Sequence, residues 1–238
     1  MEINKFSESK DQSRNSGFPF KNVVRLRKSC RGFLASPLAP DLINSVLEDA
    51  QHSPSNCNTQ PWSTHIVSGM KLKELSQAIV SARASDHFTP DFSFDMNEFY
   101  GEYLDRAHAQ GRAYYEGLGV ERGDMEGRKA AADQNLTFFN APHVALLFMP
   151  SFGDNVRVAG DIGMYGQTFL LSLTDHGLAG VPQTYLGSFA GTIRKVLGIP
   201  DNLKLLFGIS FGYADPSAAG NTIHPGRDPI SSNVVFYE

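Results

Sequence analysis

The chain has 238 residues and a formal net charge of -4, which allows one large α/β or α+β domain built on a single core. Hydrophobic residues at 41% and charged residues at 19% exclude whole-chain disorder, and the lack of a global basic field makes nucleic acid a poor partner. No apolar run approaches the roughly 20 residues of a membrane-crossing helix, because Val144 to Met149 is bounded by His143 and Pro150, so no membrane partner is expected.

Residues 1–17 are polar, lack the basic start and apolar stretch of a secretory signal, and read as a flexible arm ahead of one domain over residues 18–238. Phe18 to Ser29 carries Val23, Val24 and Leu26, consistent with a short helix that delivers Arg27-Lys28-Ser29-Cys30-Arg31 into a turn at Gly32. A clearer helix starts at Pro40, with Leu42, Ile43, Val46, Leu47 and Ala50 in one stripe, and ends at His52-Ser53-Pro54. Pro54 to Trp62 holds two prolines among short polar side chains and is a loop. His65-Ile66-Val67 reads as a strand, with a helix after it marked by Leu72, Leu75 and Ile79. Ala84 to Arg128 has a weaker helical period and reads as a helical excursion or lid outside the main sheet.

His143 to Met149 suits a buried strand, and Asn155 is placed to cap a long helix running to His176. That helix turns Ile162, Phe169, Leu170 and Leu173 inward and stops at Gly177. Val181 to Thr184 leaves the next turn, Ile193, Val196 and Leu197 mark a shorter helix, and Leu205 to Tyr213 reads as the last central strand. Asp215 to Pro229 is irregular, and Val234-Val235-Phe236 is a candidate terminal strand for this sheet or a neighbour's. Cys30 and Cys57 are too few for a disulfide framework or a structural zinc site, which fits a reducing cytoplasm and no metal.

Gly208-Ile209-Ser210-Phe211-Gly212 matches the Gly-x-Ser-x-Gly pattern of serine hydrolases, with Asp215 and His224 following. That chemistry needs a strand, a sharp turn and a helix around Ser210, and the residues after Tyr213 carry no helical period. Walker and dinucleotide glycine motifs are absent. Arg27, Lys28 and Arg31, with the Ser29 hydroxyl and N–H between them, form a cationic turn suited to a phosphomonoester, and equally to a solvated helix end. Ser55, Asn56, Asn58 and Gln60 offer donors and acceptors fit to read a flat heteroaromatic edge, or to close an Asx-rich turn. Asn221, His224 and Arg227 sit in a Pro- and Gly-containing stretch with no evident packing role.

Together these segments resemble the FMN-dependent nitroreductase family, in collinear order from about Phe20 to the C-terminus. The resemblance lies in Arg27 to Arg31, read as Arg-x-Ser-x-Arg/Lys, and in Pro54 to Trp62, read as Pro-Ser-x-x-Asn-x-Gln-Pro-Trp. Asn135 with Phe139 to His143, Gly177-Leu178, Pro182-Gln183 and Leu197 to Pro200 extend it. It implies an α+β fold, a mixed sheet wrapped by helices, and an intertwined homodimer with FMN at the subunit interface. By the same resemblance Arg27, Arg227 and Ser29, beside Lys28, hold the FMN phosphate, and Arg31 lies at the pyrimidine side, where it tunes the flavin. Ser55, Asn56 and Asn58 come from the second subunit, Pro54 and Gln60 also bind the cofactor, and Pro182, Gln183 and Thr184 run over the isoalloxazine. His224 falls where relatives carry a second basic residue.

With the flavin carrying the redox chemistry, no catalytic side chain is required. The implied activity is ping-pong transfer of electrons from NADH or NADPH to a small aromatic acceptor, a nitroaromatic or a quinone. Dehalogenation, ring dehydrogenation and non-catalytic flavin binding are the alternatives within the same family.

Overall fold

The computed structural model describes residues 18–238; the arm expected over residues 1–17 lies outside the described residues. Four strands form one sheet in the order β1-β2-β4-β3: β1 (Ser63–Ser68), β2 (His143–Pro150), β3 (Ala179–Gln183) and β4 (Leu203–Gly212). Around it lie α1 (Phe20–Leu26), α2 (Pro40–Gln51), α3 (Gly69–Ala84), α4 (Gly101–Gly117), α5 (Met125–Asp133), α6 (Val156–Asp175) and α7 (Ala190–Leu197).

β2 explains the layering. Its side chains alternate between faces: Val144, Leu146 and Phe148 join the core beneath α3 and α7, whereas Ala145, Leu147 and Met149 join the core beneath α2 and α6. All six are fully buried, so the apolar run reads without polar alternation because helices cover both faces. α6 presents Ile162, Phe169, Leu170 and Leu173 to this core, and Gly177, at φ 71°, ends the turn after it, as its sequence pattern predicts.

Three expectations need correction. The sheet is not mixed: every pairing among its strands is antiparallel, and parallel geometry occurs at the isolated bridge between Ser29 and Gly180. Hairpin-free crossovers through α3, α6 and α7 return each strand antiparallel to its neighbour, which hydrophobic runs alone do not disclose. Of the two places expected for Val234-Val235-Phe236, this sheet is the one overturned: the chain leaves it after β4 and ends exposed. Asn155 stands at the N-cap of α6 but in the left-handed region, so its Oδ1 turns back to accept from Phe152 N at 3.1 Å, while Asp154 Oδ1 accepts from Val156 N.

The segment from Ala84 onward is helical outside the sheet, in α4 and α5. Its first part is strapped down: Asp91 pairs with Arg194 of α7 and accepts from Leu205 N of β4 at 2.8 Å. Thr89 N donates to Ser188 O, and Thr89 Oγ1 accepts from Gly191 N at 3.1 Å.

Candidate functional site

The cationic turn runs beside β3. Ser29 bridges Gly180, and Cys30 N donates to Gly180 O at 3.2 Å, so Pro182 on β3 and Thr184 just beyond its end follow beside the turn. Pro182 and Thr184 are exposed there. Gln183 points the other way: its Nε2 donates to Asn135 O at 3.0 Å and its Oε1 accepts from the Ser210 hydroxyl. The side chain expected near the flavin is therefore spent in the interior, and what Gln183 offers outward is backbone.

Ser210 itself is fully buried in the middle of β4, with no turn or helix behind it. No nucleophile elbow exists, and the hydrolase pattern is accounted for by strand packing. Asp215, its would-be partner, accepts from Ser217 N and Ser217 Oγ.

The C-terminal segment folds back over the same turn, and Asn221 is the staple. Its Oδ1 accepts from Arg31 N at 2.6 Å, while its Nδ2 donates to Gly32 O at 2.8 Å and Asp215 O at 2.9 Å. Its main-chain oxygen accepts from Lys28 Nζ at 2.9 Å. Glycines permit the approach: a Cβ on Gly32 would come 2.2 Å from Ala218 Cβ, and one on Gly220 would come 2.9 Å from Arg31 O.

This docking brings two like charges together. The Arg27 guanidinium is pushed below its usual pKa by burial and then by the nearby charge of Arg227. Among the described residues neither Arg27 nor Arg227 has a carboxylate partner. Arg31 is half-buried and, among the described residues, also without a carboxylate partner, and burial pushes its pKa down. Its guanidinium carbon lies 5.0 Å from the centre of the Tyr114 ring. His224 is exposed on the same segment, near Arg227.

A constellation of cations converging without an acid is set up for an anion from outside the chain. A model of the Nitroreductase family matches residues 24–213. The chain belongs to the nitroreductase family. It is 38% identical over 216 residues to the nitroreductase NfnB of Mycolicibacterium smegmatis, covering 91% of this chain and 92% of that protein. It is 30% identical over 211 residues to a 4-nitrobenzoate reductase of Pseudomonas putida, covering 88% of this chain and 91% of the relative. The crystal structure of the FMN-dependent NfnB from Mycobacterium smegmatis in complex with NADPH superimposes with a TM-score of 0.88 over 92% of this chain and 97% of that one. The fold expectation of a helix-wrapped α+β member of this family is thereby met.

The second motif of this nitroreductase-family chain lies elsewhere. Asn56 N donates to Asp161 Oδ1 at 3.0 Å, Ser53 Oγ donates to Thr168 Oγ1, and Trp62 stacks on Tyr165 at 5.0 Å, so the Pro54–Trp62 loop rides on α6. Ser55 Oγ accepts from Gln60 N at 2.9 Å and Asn58 O accepts from Gln60 Nε2 at 3.1 Å, closing the loop on itself. Cys57, Asn58 and Gln60 all take positive φ, which leaves Pro54, Asn56 and Asn58 exposed. The Phe18 N–H that leads into α1 meets α6 at Asp175, about 21 Å along the helix axis from Asp161 at 1.5 Å per residue. Among the described residues no hydrogen bond joins this loop to the cationic turn.

Asn135 and Phe139, which the sequence offered only as marks of the family resemblance, and Tyr114, which it did not single out, shape the site. Asn135 holds Gln183, and a left-handed turn through Phe138, Phe139 and Asn140 lets Phe139 O accept from Phe33 N. Tyr114, in the excursion, reaches Arg31; nothing in its surroundings in the sequence distinguishes it from a packing tyrosine.

Proposed function

We propose that this chain binds FMN and reduces nitroaromatic or quinone acceptors with NADPH or NADH as electron donor. The observation that carries the reading is the C-terminal segment stapled over the Arg27–Arg31 turn, which brings the charge of Arg227 to bear on Arg27 with no carboxylate paired to either among the described residues. A phosphate dianion relieves that repulsion and takes charge-assisted hydrogen bonds from both. Kinship with an FMN-dependent nitroreductase crystallised with NADPH and with a 4-nitrobenzoate reductase supports the cofactor, the donor and the acceptor class.

When bound, FMN would supply the redox chemistry that links the nicotinamide donor to the acceptor. Arg27 and Arg227 hold the phosphate, with the Ser29 hydroxyl or N–H as a further donor and Lys28, tethered to Asn221, adding positive charge. Arg31 stabilises negative charge on the reduced cofactor more than it stabilises the oxidised form. Pro182, Gln183 and Thr184 offer a strand edge and its backbone. His224 adds hydrogen-bonding capacity beside Arg227.

Ser55, Asn56, Asn58 and Gln60 complete the site from a second copy of the chain, a reading supported by their exposure or partial exposure on α6 and by the lack, among the described residues, of any hydrogen bond from this loop to the cations of its own chain. The consecutive exposed residues Val235, Phe236 and Tyr237, at 70%, 78% and 92%, support such a homodimer, because contiguous exposed apolar surface marks interaction sites. Residues 18–238 act as one FMN-binding unit, with α4 and α5 as the excursion beside it. Free cysteines at 30 and 57 go with a reducing, cytoplasmic setting. Among the described residues no helix is long and apolar enough to cross a membrane.

The test is anaerobic: purified protein reconstituted with FMN is mixed with NADPH and then with 4-nitrobenzoate. Bleaching of the flavin band, followed by recovery on adding the nitro compound, supports the reading. A flavin band that NADPH and NADH both leave unchanged refutes the reductase.

A further inference from the structure

One face of α4 runs along the junction of the cationic turn and the C-terminal segment. Arg106, Tyr114 and Gly117 share it at helical spacing. Arg106 Nε pairs with Asp228 Oδ2 at 2.6 Å, and Gly117 makes room for Ile223, whose Cγ1 would lie 2.6 Å from a Cβ there. Between these two anchors the Tyr114 ring lies against Arg31, 5.0 Å from the guanidinium carbon to the ring centre.

Arg31 is held at both ends. Its main chain is fixed by Asn221, and its side chain meets an aromatic face. Among the described residues its guanidinium donates no hydrogen bond and meets no carboxylate, so all its donors remain free although the residue is half-buried. The negative face of a ring offsets part of the cost of burying such a cation without consuming a donor. Tyr114 is only 9% exposed, and its hydroxyl has no partner among the described residues. The contact with Arg31 is made by the ring face, and the hydroxyl makes none among the described residues.

We infer that Tyr114 is a positioning residue, whose ring face holds the Arg31 guanidinium in one orientation, charged and with its donors free, for the negative charge of bound FMN. This rests on the proposed function for its cofactor end, and on the apoprotein geometry for the contact itself.

Two readouts test it in full-length Tyr114→Phe and Tyr114→Leu proteins, with Tyr114→Met carrying the same expectation as Leu should Leu disturb packing. In the apoprotein, the rate at which phenylglyoxal labels Arg31, located by mass spectrometry, rises several-fold in the Leu protein and stays at the wild-type value in the Phe protein. In the reconstituted protein, the preference for reduced over oxidised FMN falls by about three- to tenfold with Leu, tenfold being about 30 mV in midpoint potential, and is kept with Phe. In an Arg31→Leu background, Tyr114→Leu changes the potential no further. Wild-type values of both readouts in the Leu and Met proteins overturn the inference, as does a Phe protein that behaves like the Leu one. Wild-type protein that takes up no FMN refutes the proposed function, and the labelling rates then decide the Tyr114–Arg31 contact by themselves.

Discussion

Asn221 hydrogen-bonds the main chain of Arg31 from the far end of the chain, and the same carboxamide bridges Gly32 and Asp215. One buried side chain thus fixes the C-terminal segment to the cationic turn and satisfies backbone groups on both. Replacing it leaves Arg31 N without a partner and takes one hydrogen bond from Gly32 O and one from Asp215 O, which keep those from Asp215 N and Ala218 N. Asn221→Ala should lower unfolding free energy by about 2–3 kcal/mol, read from urea denaturation at fixed protein concentration. FMN affinity should fall in parallel, because Arg227 loses its tether. An unchanged midpoint would mean that the junction is held by other contacts.

Arg27 and Arg227 give a prediction in which stability and binding separate. Each repels the other in the apoprotein, so Arg227→Ala should leave apoprotein stability unchanged or raised. The same substitution should weaken FMN binding by about 10- to 100-fold, the loss of one charge-assisted phosphate contact of roughly 1.5–3 kcal/mol. A loss of stability together with unchanged FMN affinity would assign Arg227 to packing.

The close approach at Gly32 is a steric prediction with a built-in rescue. Gly32→Ala drives a methyl against Ala218, at a cost of about 1–3 kcal/mol. Combining it with Ala218→Gly removes the atom it meets and should recover most of that loss. Thermal unfolding of the single and double variants checks it, and a double variant no better than Gly32→Ala would argue against the contact.

Acid sensitivity should trace to His143. Its Nε2 accepts from Leu38 N at 2.9 Å, so Nδ1 carries the proton and donates to the Ser68 hydroxyl; the ring is 4% exposed. Burial lowers its pKa in the folded protein, as it does for His65. The unfolded chain therefore binds a proton first as pH drops through about 6.5, and stability falls from there downward toward the folded pKa. Urea midpoints between pH 7.5 and 5.5 should decline in the wild type and decline less in His143→Gln, which does not titrate. Equal slopes would clear His143 of the effect.

The local features of the fold were legible where one residue period dominates. β2 is an uninterrupted apolar run, α2 starts on Pro40, and α6 stops at Gly177; in each case the deciding residues are adjacent in the chain. Strand direction was not, because the pairing of β2 with β4 depends on crossovers that leave no trace in either strand. The cationic turn and the polar loop were visible as residue types, yet the inward turn of Gln183 toward Ser210 and Asn135 follows only from packing. Arg27 and Arg227 were paired in sequence only through the family resemblance, since Gly32, Gly220 and Asn221 bring their segments together through close backbone approach. Tyr114 was hidden for the same reason: its partner belongs to another element.

The most direct measurement compares FMN with riboflavin, which differ by the phosphate alone, in titrations of the apoprotein followed by flavin fluorescence. Two converging guanidiniums that grip that group predict FMN binding about 100-fold tighter than riboflavin, a difference of roughly 2.7 kcal/mol. Equal dissociation constants for the two flavins would contradict it.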